Sequence, residues 1–110
     1  GVKKIQFYSY ADGYLEVNLT TRKDVVRVIR DVQPSIVVGC DPTNIFPHEN
    51  YINHPDHRAA GQIVVDAVFP AAGNAMFYPE LAGEGLKPHS VKEVWLSLTH
   101  QPNVVLDVTP

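Results

Sequence analysis

The chain has 110 residues, of which 45% are hydrophobic and 19% charged, and its net charge is −3 at pH 7. A chain of this length builds one core, so we expect a single domain over residues 1–110. Its ordinary apolar content excludes a disordered protein, the absence of a long apolar run excludes a membrane span, and mild acidity argues against sequence-independent nucleic-acid binding.

The single cysteine, Cys40, cannot form an internal disulfide, and no basic start with an apolar stretch resembles a signal peptide. We therefore expect a cytoplasmic protein and interpret Cys40 as a structural thiol at a strand end.

The first half of the chain predicts a strand and a helix. Lys3–Tyr10 is rich in β-branched and aromatic residues, which suits a strand, and a turn at Ala11-Asp12-Gly13 then breaks it. An apolar stripe with helical spacing follows Thr20 and Thr21, and it predicts a threonine-capped helix that ends before Pro34. The stripe consists of Val25, Val28, Ile29 and Val32, whereas the basic residues Arg22, Lys23, Arg27 and Arg30 fall elsewhere.

The second half predicts a further helix between strands. Ser35–Gly39 has the continuous apolar character of a buried strand, and a long loop, Cys40–Asn53, follows it. His54 is then a plausible N-cap, with Pro55 at the favoured first helical position. The buried stripe of this helix is Ala60, Ile63, Val64, Ala67 and Val68, and the helix is expected to end at Pro70 or shortly after.

Residues 74–90 are predicted to be irregular, and Val91–Leu98 and Val104–Val108 to be strands. The order β-α-β-α-β-β predicts an α/β fold with a mainly parallel sheet. Open sheets of this kind bind ligands at the carboxyl ends of their strands, which is where the loop before His54 begins.

The densest chemistry of the chain is His54-Pro55-Asp56-His57. Residues three apart share a helix face, so both imidazoles can point into one cleft, and Asp56 can accept a hydrogen bond from a ring. The simpler interpretation is a well-capped helix start without catalytic function. Two histidines are too few for a catalytic zinc site, although His48 and Glu49 on the preceding loop could complete a set.

Four segments together resemble the LmbE-like, or PIG-L, family of zinc-dependent N-deacetylases. SIVVGCDP and NHPDHRAAGQIVVDAV resemble its second conserved block, FYSYADGYL its aromatic turn, and VVLDVTP its late strand. The resemblance implies a Rossmann-like three-layer fold and an activity that hydrolyses the acetamide of an N-acetylated amino sugar or a related small molecule.

The resemblance also implies functions for single residues. His57 matches a zinc ligand, and His54 matches the histidine that stabilises the oxyanion or protonates the leaving amine. Asp56 matches the carboxylate that orients that histidine, and Asp12 matches a position near the sugar-binding cleft. Tyr51 lies near the position of a family tyrosine that helps to stabilise the oxyanion, and we interpret Asp12 and Tyr51 as substrate-binding residues.

The chain departs from the family pattern because it has no A-H-P-D-D-E block, which in the family carries two zinc ligands and the general base. We therefore expect a partial fold without the first βα units, zinc binding mainly in a complete domain, and no deacetylase activity of this chain alone. The missing strands also predict self-association or pairing with a complementary chain. The alternative is a non-catalytic remnant that acts as a binding or assembly module.

Overall fold

A computed structural model describes all 110 residues. The chain forms two helices and two strands, in the order α1 (Leu19–Val32), β1 (Ile36–Cys40), α2 (Pro55–Asp66) and β2 (Glu93–Ser97). An irregular turn over Ala67–Ala71 follows α2, and a short 3₁₀ helix at Pro79–Glu84 precedes β2. Neither α-helix has the length and apolar character that crossing a bilayer requires.

The two strands form a parallel pair in which Val38 lies beside Trp95. The predicted α/β fold with parallel strands is therefore confirmed. Gly39 contacts Val64 of α2, and Val37 packs against the core that contains α1 residues, so both helices lie on the same face of the sheet. The opposite face exposes 65% of Val38 and 37% of Trp95.

Two predicted strands at the ends of the chain are wrong. Neither Lys3–Tyr10 nor Val104–Val108 forms a ladder, and most of their apolar side chains are exposed, as Phe7 (87%) and Val105 (89%) illustrate. A sequence with strand propensity becomes a strand only when a neighbouring strand accepts its hydrogen bonds, and neither segment has such a neighbour.

Helix α1 begins at a different cap from the predicted one. Asn18, rather than a threonine, accepts a hydrogen bond from the Thr21 amide, and the Thr21 hydroxyl closes a capping box on the Asn18 amide. The helix ends as predicted, with Gln33 in the left-handed conformation of a C-cap (φ 54°).

The buried face of α1 is rotated from the predicted stripe. Val26 and Ile29 are buried, whereas Val32 is 60% exposed. Arg30, predicted to lie on the polar face, is only 2% exposed. Its guanidinium donates to five backbone carbonyls, those of Ala71, Ala72, Asn74, Phe77 and Tyr78. Arg30 therefore ties α1 to the segment that follows α2, and burial lowers its pKa.

Helix α2 begins as predicted, with His54 as N-cap and Pro55 in the first turn. Its regular part ends at Asp66, before the expected end at Pro70, because the backbone of Phe69 is extended (φ −144°, ψ 126°). Gly61 packs against the end of β1, where an added Cβ would overlap the Cys40 carbonyl oxygen. This close approach fixes the middle of α2 against the carboxyl end of β1.

Candidate functional site

The candidate site lies where the loop after β1 enters α2 and meets the turn near the start of the chain. Asp12, His54 and Asp56 bring potential ligand atoms within 4.8 Å of one another. The His57 ring lies one helical turn further along α2, with its centroid 5.5 Å from that of His54. The structure thus brings together four of the five predicted site residues.

The loop that carries the site toward α2 is held by its own polar groups. Asp41, directly after β1, accepts hydrogen bonds from the hydroxyl and amide of Thr43, and these bonds lower the pKa of Asp41. The amide of Asn53 donates to the carbonyl of Ile45, so the two arms of the loop meet just before His54.

The contacts of His54 define its neutral tautomer. Its Nδ1 lies 3.0 Å from the Asp56 amide nitrogen, and a backbone N–H can only donate. Nδ1 is therefore the acceptor, and a neutral ring carries its proton on Nε2. That nitrogen lies 3.0 Å from Oδ1 of Asp12, so the ring N–H donates to the Asp12 carboxylate.

The Asp56 carboxylate contacts backbone amides rather than the imidazole. It accepts hydrogen bonds from the amides of Gly13 (2.7 Å) and Leu15 (3.2 Å). Its nearest approach to His54 is 4.0 Å, from Oδ2 to Nδ1, which is too long for a hydrogen bond. The amide of Gly13 contributes most to the lowered pKa of Asp56, and the Leu15 amide and both imidazoles add to it.

The donors of this cluster differ in how well they suit a metal. The ligand atoms of Asp12, His54 and Asp56 already take part in hydrogen bonds, so a cation there would compete with all of them. The His57 ring is exposed and makes no hydrogen bond, and a neutral imidazole with a free nitrogen is a good zinc ligand. The residues present therefore fit zinc at His57, as one ligand of the usual three.

The predicted alternative zinc site of His48, His54 and His57 is wrong. His48 lies at the tip of the loop, opposite Tyr51 in an isolated antiparallel bridge, and their ring centroids are 6.4 Å apart. Only Asp12, His54 and Asp56 bring three possible ligand atoms together. Tyr51, the fifth predicted site residue, is 51% exposed on the same tip, and the hydrogen bonds of the site form without it.

Sequence reasoning missed the backbone donors at Gly13 and Leu15. Gly13 has a positive φ of 85°, which an Asp-Gly turn favours, and the amide of Tyr14 closes the turn on the carbonyl of Ala11. The turn was visible in the sequence, but its contact with a residue more than 40 positions away was not. Arg58, directly after His57, donates from Nε to the Asn53 carbonyl.

Residues 1–68 of the chain match the family model of PIG-L, the GlcNAc-PI de-N-acetylases. The chain belongs to this family. A diacetylchitobiose deacetylase from Thermococcus kodakarensis is 39% identical to the chain over 109 residues. Among solved structures, the N,N'-diacetylchitobiose deacetylase from Pyrococcus horikoshii complexed with its inhibitor MPG matches with a TM-score of 0.86 at 34% identity.

Each of these two matches covers 99% of the present chain and 39% of the relative. The chain therefore spans about two fifths of the length of the relatives that it matches. These matches confirm the family that the sequence motifs indicated. The chain is therefore a member of an N-deacetylase family.

Proposed function

We propose that the chain is part of a zinc-dependent N-deacetylase that hydrolyses the acetamide of an N-acetylated amino sugar. In this proposal residues 1–110 belong to one deacetylase domain. The observation that carries it is the pairing of two adjacent imidazoles at the start of α2, one with a free ring nitrogen and one with its N–H directed outward from the helix cap. The names of the relatives support a sugar bearing an acetylated amine as substrate.

The two imidazoles have different functions in this proposal. His57 supplies one ligand to the metal, which when bound polarises the acetyl carbonyl and lowers the pKa of a water molecule. The Nε2–H of His54, which donates to Oδ1 of Asp12 in this structure, exchanges that partner for the oxygen that gains negative charge as the acetamide is attacked. The tautomer enforced by the Asp56 amide suits this function, because it keeps the proton on the nitrogen that points away from the helix.

The substrate residues of the proposal are Asp12 and Tyr51. Asp12 is 92% exposed, and its second carboxylate oxygen has no partner, so it remains available to a sugar hydroxyl. Tyr51 offers an exposed aromatic ring on the loop that leads into the site, a type of surface on which sugar rings stack.

A chimera tests the proposal. The matching segment of the Thermococcus deacetylase is replaced by this chain, and release of acetate from diacetylchitobiose is measured together with the zinc content. We expect a zinc-containing, active chimera, whereas the isolated 110-residue chain is inactive. His57→Ala should lose zinc and activity, and His54→Ala should keep zinc and lose activity by about 100-fold or more.

His100→Gln is the matched control, because His100 is an exposed histidine whose ring makes a single hydrogen bond, to the Phe46 carbonyl. It should leave both zinc and activity unchanged. A folded, zinc-loaded chimera without deacetylase activity would overturn the proposal and favour a non-catalytic binding or assembly module.

The proposal includes self-association of the chain or its pairing with a complementary chain. The supporting observation is the open face of the sheet, where Val38, Trp95 and Leu106 border one shallow cavity of about 410 Å³. Exposed apolar surface of this kind is usually covered in a protein that remains in solution.

A further inference from the structure

We infer that Asp56 is a positioning residue that acts on the turn at residues 11–15, and that Asp12, rather than Asp56, is the carboxylate partner of the His54 ring. The inference rests on the proposed function of His54 as a hydrogen-bond donor to the reacting acetamide. It differs from the prediction made from the sequence, in which the Asp56 carboxylate orients the imidazole directly.

The first step is the allocation of the hydrogen bonds of Asp56. Its two carboxylate oxygens accept from two different amides, Gly13 to Oδ2 and Leu15 to Oδ1. Its main-chain amide donates to Nδ1 of His54. One residue therefore fixes the ring through its backbone and the turn through its side chain, and the carboxylate itself does not reach the ring.

The second step is that the position of Asp12 depends on the two hydrogen bonds of the Asp56 carboxylate. Its side chain is 92% exposed, and its contact is the bond to Nε2 of His54. Packing does not hold an exposed side chain in place, so its position follows from the backbone of the turn. That backbone is fixed on both sides of Gly13 by the Asp56 carboxylate, whose side chain is only 20% exposed.

The third step is an asymmetry between two substitutions that each remove one negative charge. The side chain in Asp56→Asn has one acceptor oxygen, whereas the amides of Gly13 and Leu15 each need an acceptor. At least one of these two hydrogen bonds is therefore lost, and Asp12 moves away from His54. Asp12→Asn removes the charge facing the ring but leaves both hydrogen bonds of the Asp56 carboxylate intact. The first change therefore disturbs the turn and the imidazole, and the second disturbs the imidazole alone.

The experiment measures both effects in the 110-residue chain without using activity. Amide hydrogen exchange of Gly13 and Leu15 reports whether their hydrogen bonds to the Asp56 carboxylate are present. Nitrogen-15 spectra of the histidine rings, at about pH 8.5 where an ordinary imidazole is neutral, report the Nε2–H of His54. In Asp56→Asn we expect at least one of the two amides to exchange about tenfold faster or more, together with a shifted Nε2–H signal.

In Asp12→Asn we expect a shifted Nε2–H signal with unchanged exchange at Gly13 and Leu15. Asp12→Glu, which keeps a carboxylate, should restore part of the wild-type ring signal. Asp107→Asn is the control, because Asp107 is an exposed aspartate that bonds only to Thr109, and it should change neither readout at the site.

Two results would overturn the inference. One is an unchanged Nε2–H signal in Asp56→Asn despite lost protection of the amides, and the other is lost protection of Gly13 and Leu15 in Asp12→Asn. The second result can be obtained even if Asp56→Asn fails to fold, because Asp12 is a surface residue. An inactive chimera with the expected spectra would instead overturn the deacetylase proposal and leave the positioning function of Asp56 intact.

Discussion

The two faces of the sheet differ in how completely this chain covers them. On the helical face, Val26, Ala67 and Leu81 are fully buried, and even the charge of Arg30 is enclosed by carbonyls of the same chain. On the open face, Val38 and Trp95 lie side by side with much of their surface in solvent. The helical face thus encloses a fully buried core, whereas Val38 and Trp95 on the open face remain partly exposed.

This difference shows which interactions the stability of the chain depends on. Residues on the helical face contribute burial and hydrogen bonds, and their loss leaves cavities or unpaired carbonyls. Val38 on the open face, which is 65% exposed, changes little on folding because its surroundings remain largely water. Substitutions that are matched between the two faces therefore test the comparison.

The largest expected effect is that of Arg30→Met. Methionine roughly preserves the apolar stem of the side chain but leaves the carbonyls of Ala71, which is buried, and Phe77 without a donor, whereas the Ala72 carbonyl keeps the amide of His89. We expect the free energy of unfolding, measured in urea, to fall by about 3 kcal/mol or more.

Arg27→Met is the matched control for Arg30→Met. Arg27 lies one turn earlier on α1 and pairs with Glu84 at the surface. Exposed ion pairs contribute little, so we expect no measurable change in unfolding. Equal unfolding curves for the two variants would mean that the carbonyl contacts of Arg30 do not hold the helical face together.

An intermediate effect is expected at the junction of helix and sheet. Alanine is the better helix former by about 1 kcal/mol, but at Gly61 its Cβ would overlap the Cys40 carbonyl and lie 3.2 Å from the Pro42 nitrogen. Backbone atoms cannot yield as a flexible side chain does, so the clash outweighs the propensity. We expect Gly61→Ala to lower the free energy of unfolding in urea by about 2 kcal/mol.

Gly39→Ala is the comparison for the junction. Its added Cβ would meet Cγ1 of Val64 at 3.2 Å, a contact that a small side-chain shift relieves. Because alanine also loses less backbone entropy than glycine on folding, we expect a change of less than about 1 kcal/mol. If Gly39→Ala lowered the free energy of unfolding more than Gly61→Ala does, the tight contact between α2 and β1 would not lie at Gly61.

Local signals in the sequence predicted the parts of the fold that depend on neighbouring residues. The start of α2 follows from a capping histidine and a proline within two positions, and both were placed correctly. The strand predicted at Lys3–Tyr10 failed because a ladder needs a partner that propensity does not supply. Burial of Arg30 was missed because a helix with apolar residues on two sides does not reveal which side meets the core.

The candidate site shows the same division between local and distant contacts. Proximity of His54 and His57 follows from their spacing of three on a helix, and the rings are adjacent in the structure. The bond between Asp12 and His54 joins residues that are far apart in the chain, and it depends on how the turn docks on α2. A sequence pattern suggests such a pair only through a family resemblance, since spacing alone carries no information about it.

The smallest expected effect is on the open face, where Val38→Thr changes the chemistry of a side chain that is 65% exposed. Threonine has nearly the same shape as valine and an equal preference for strands, so the free energy of unfolding should stay within about 0.5 kcal/mol. If the open face mediates self-association, the added hydroxyl weakens it. Sedimentation velocity over a range of concentrations should then show a larger monomer fraction than in the wild type.

Val26→Thr makes the same chemical change on the helical face, where Val26 is fully buried. A buried hydroxyl loses its water and, within a helix, finds a partner only in a preceding carbonyl. We therefore expect the free energy of unfolding to fall by about 1–3 kcal/mol. The monomer fraction among folded molecules should stay unchanged. Equal costs for the two variants would show that Val38 is covered in solution, because only a buried valine is sensitive to the hydroxyl. An equal cost that depends on protein concentration would identify the cover as another copy of the chain, whereas a cost independent of concentration would mean that a segment of the same molecule folds over the sheet.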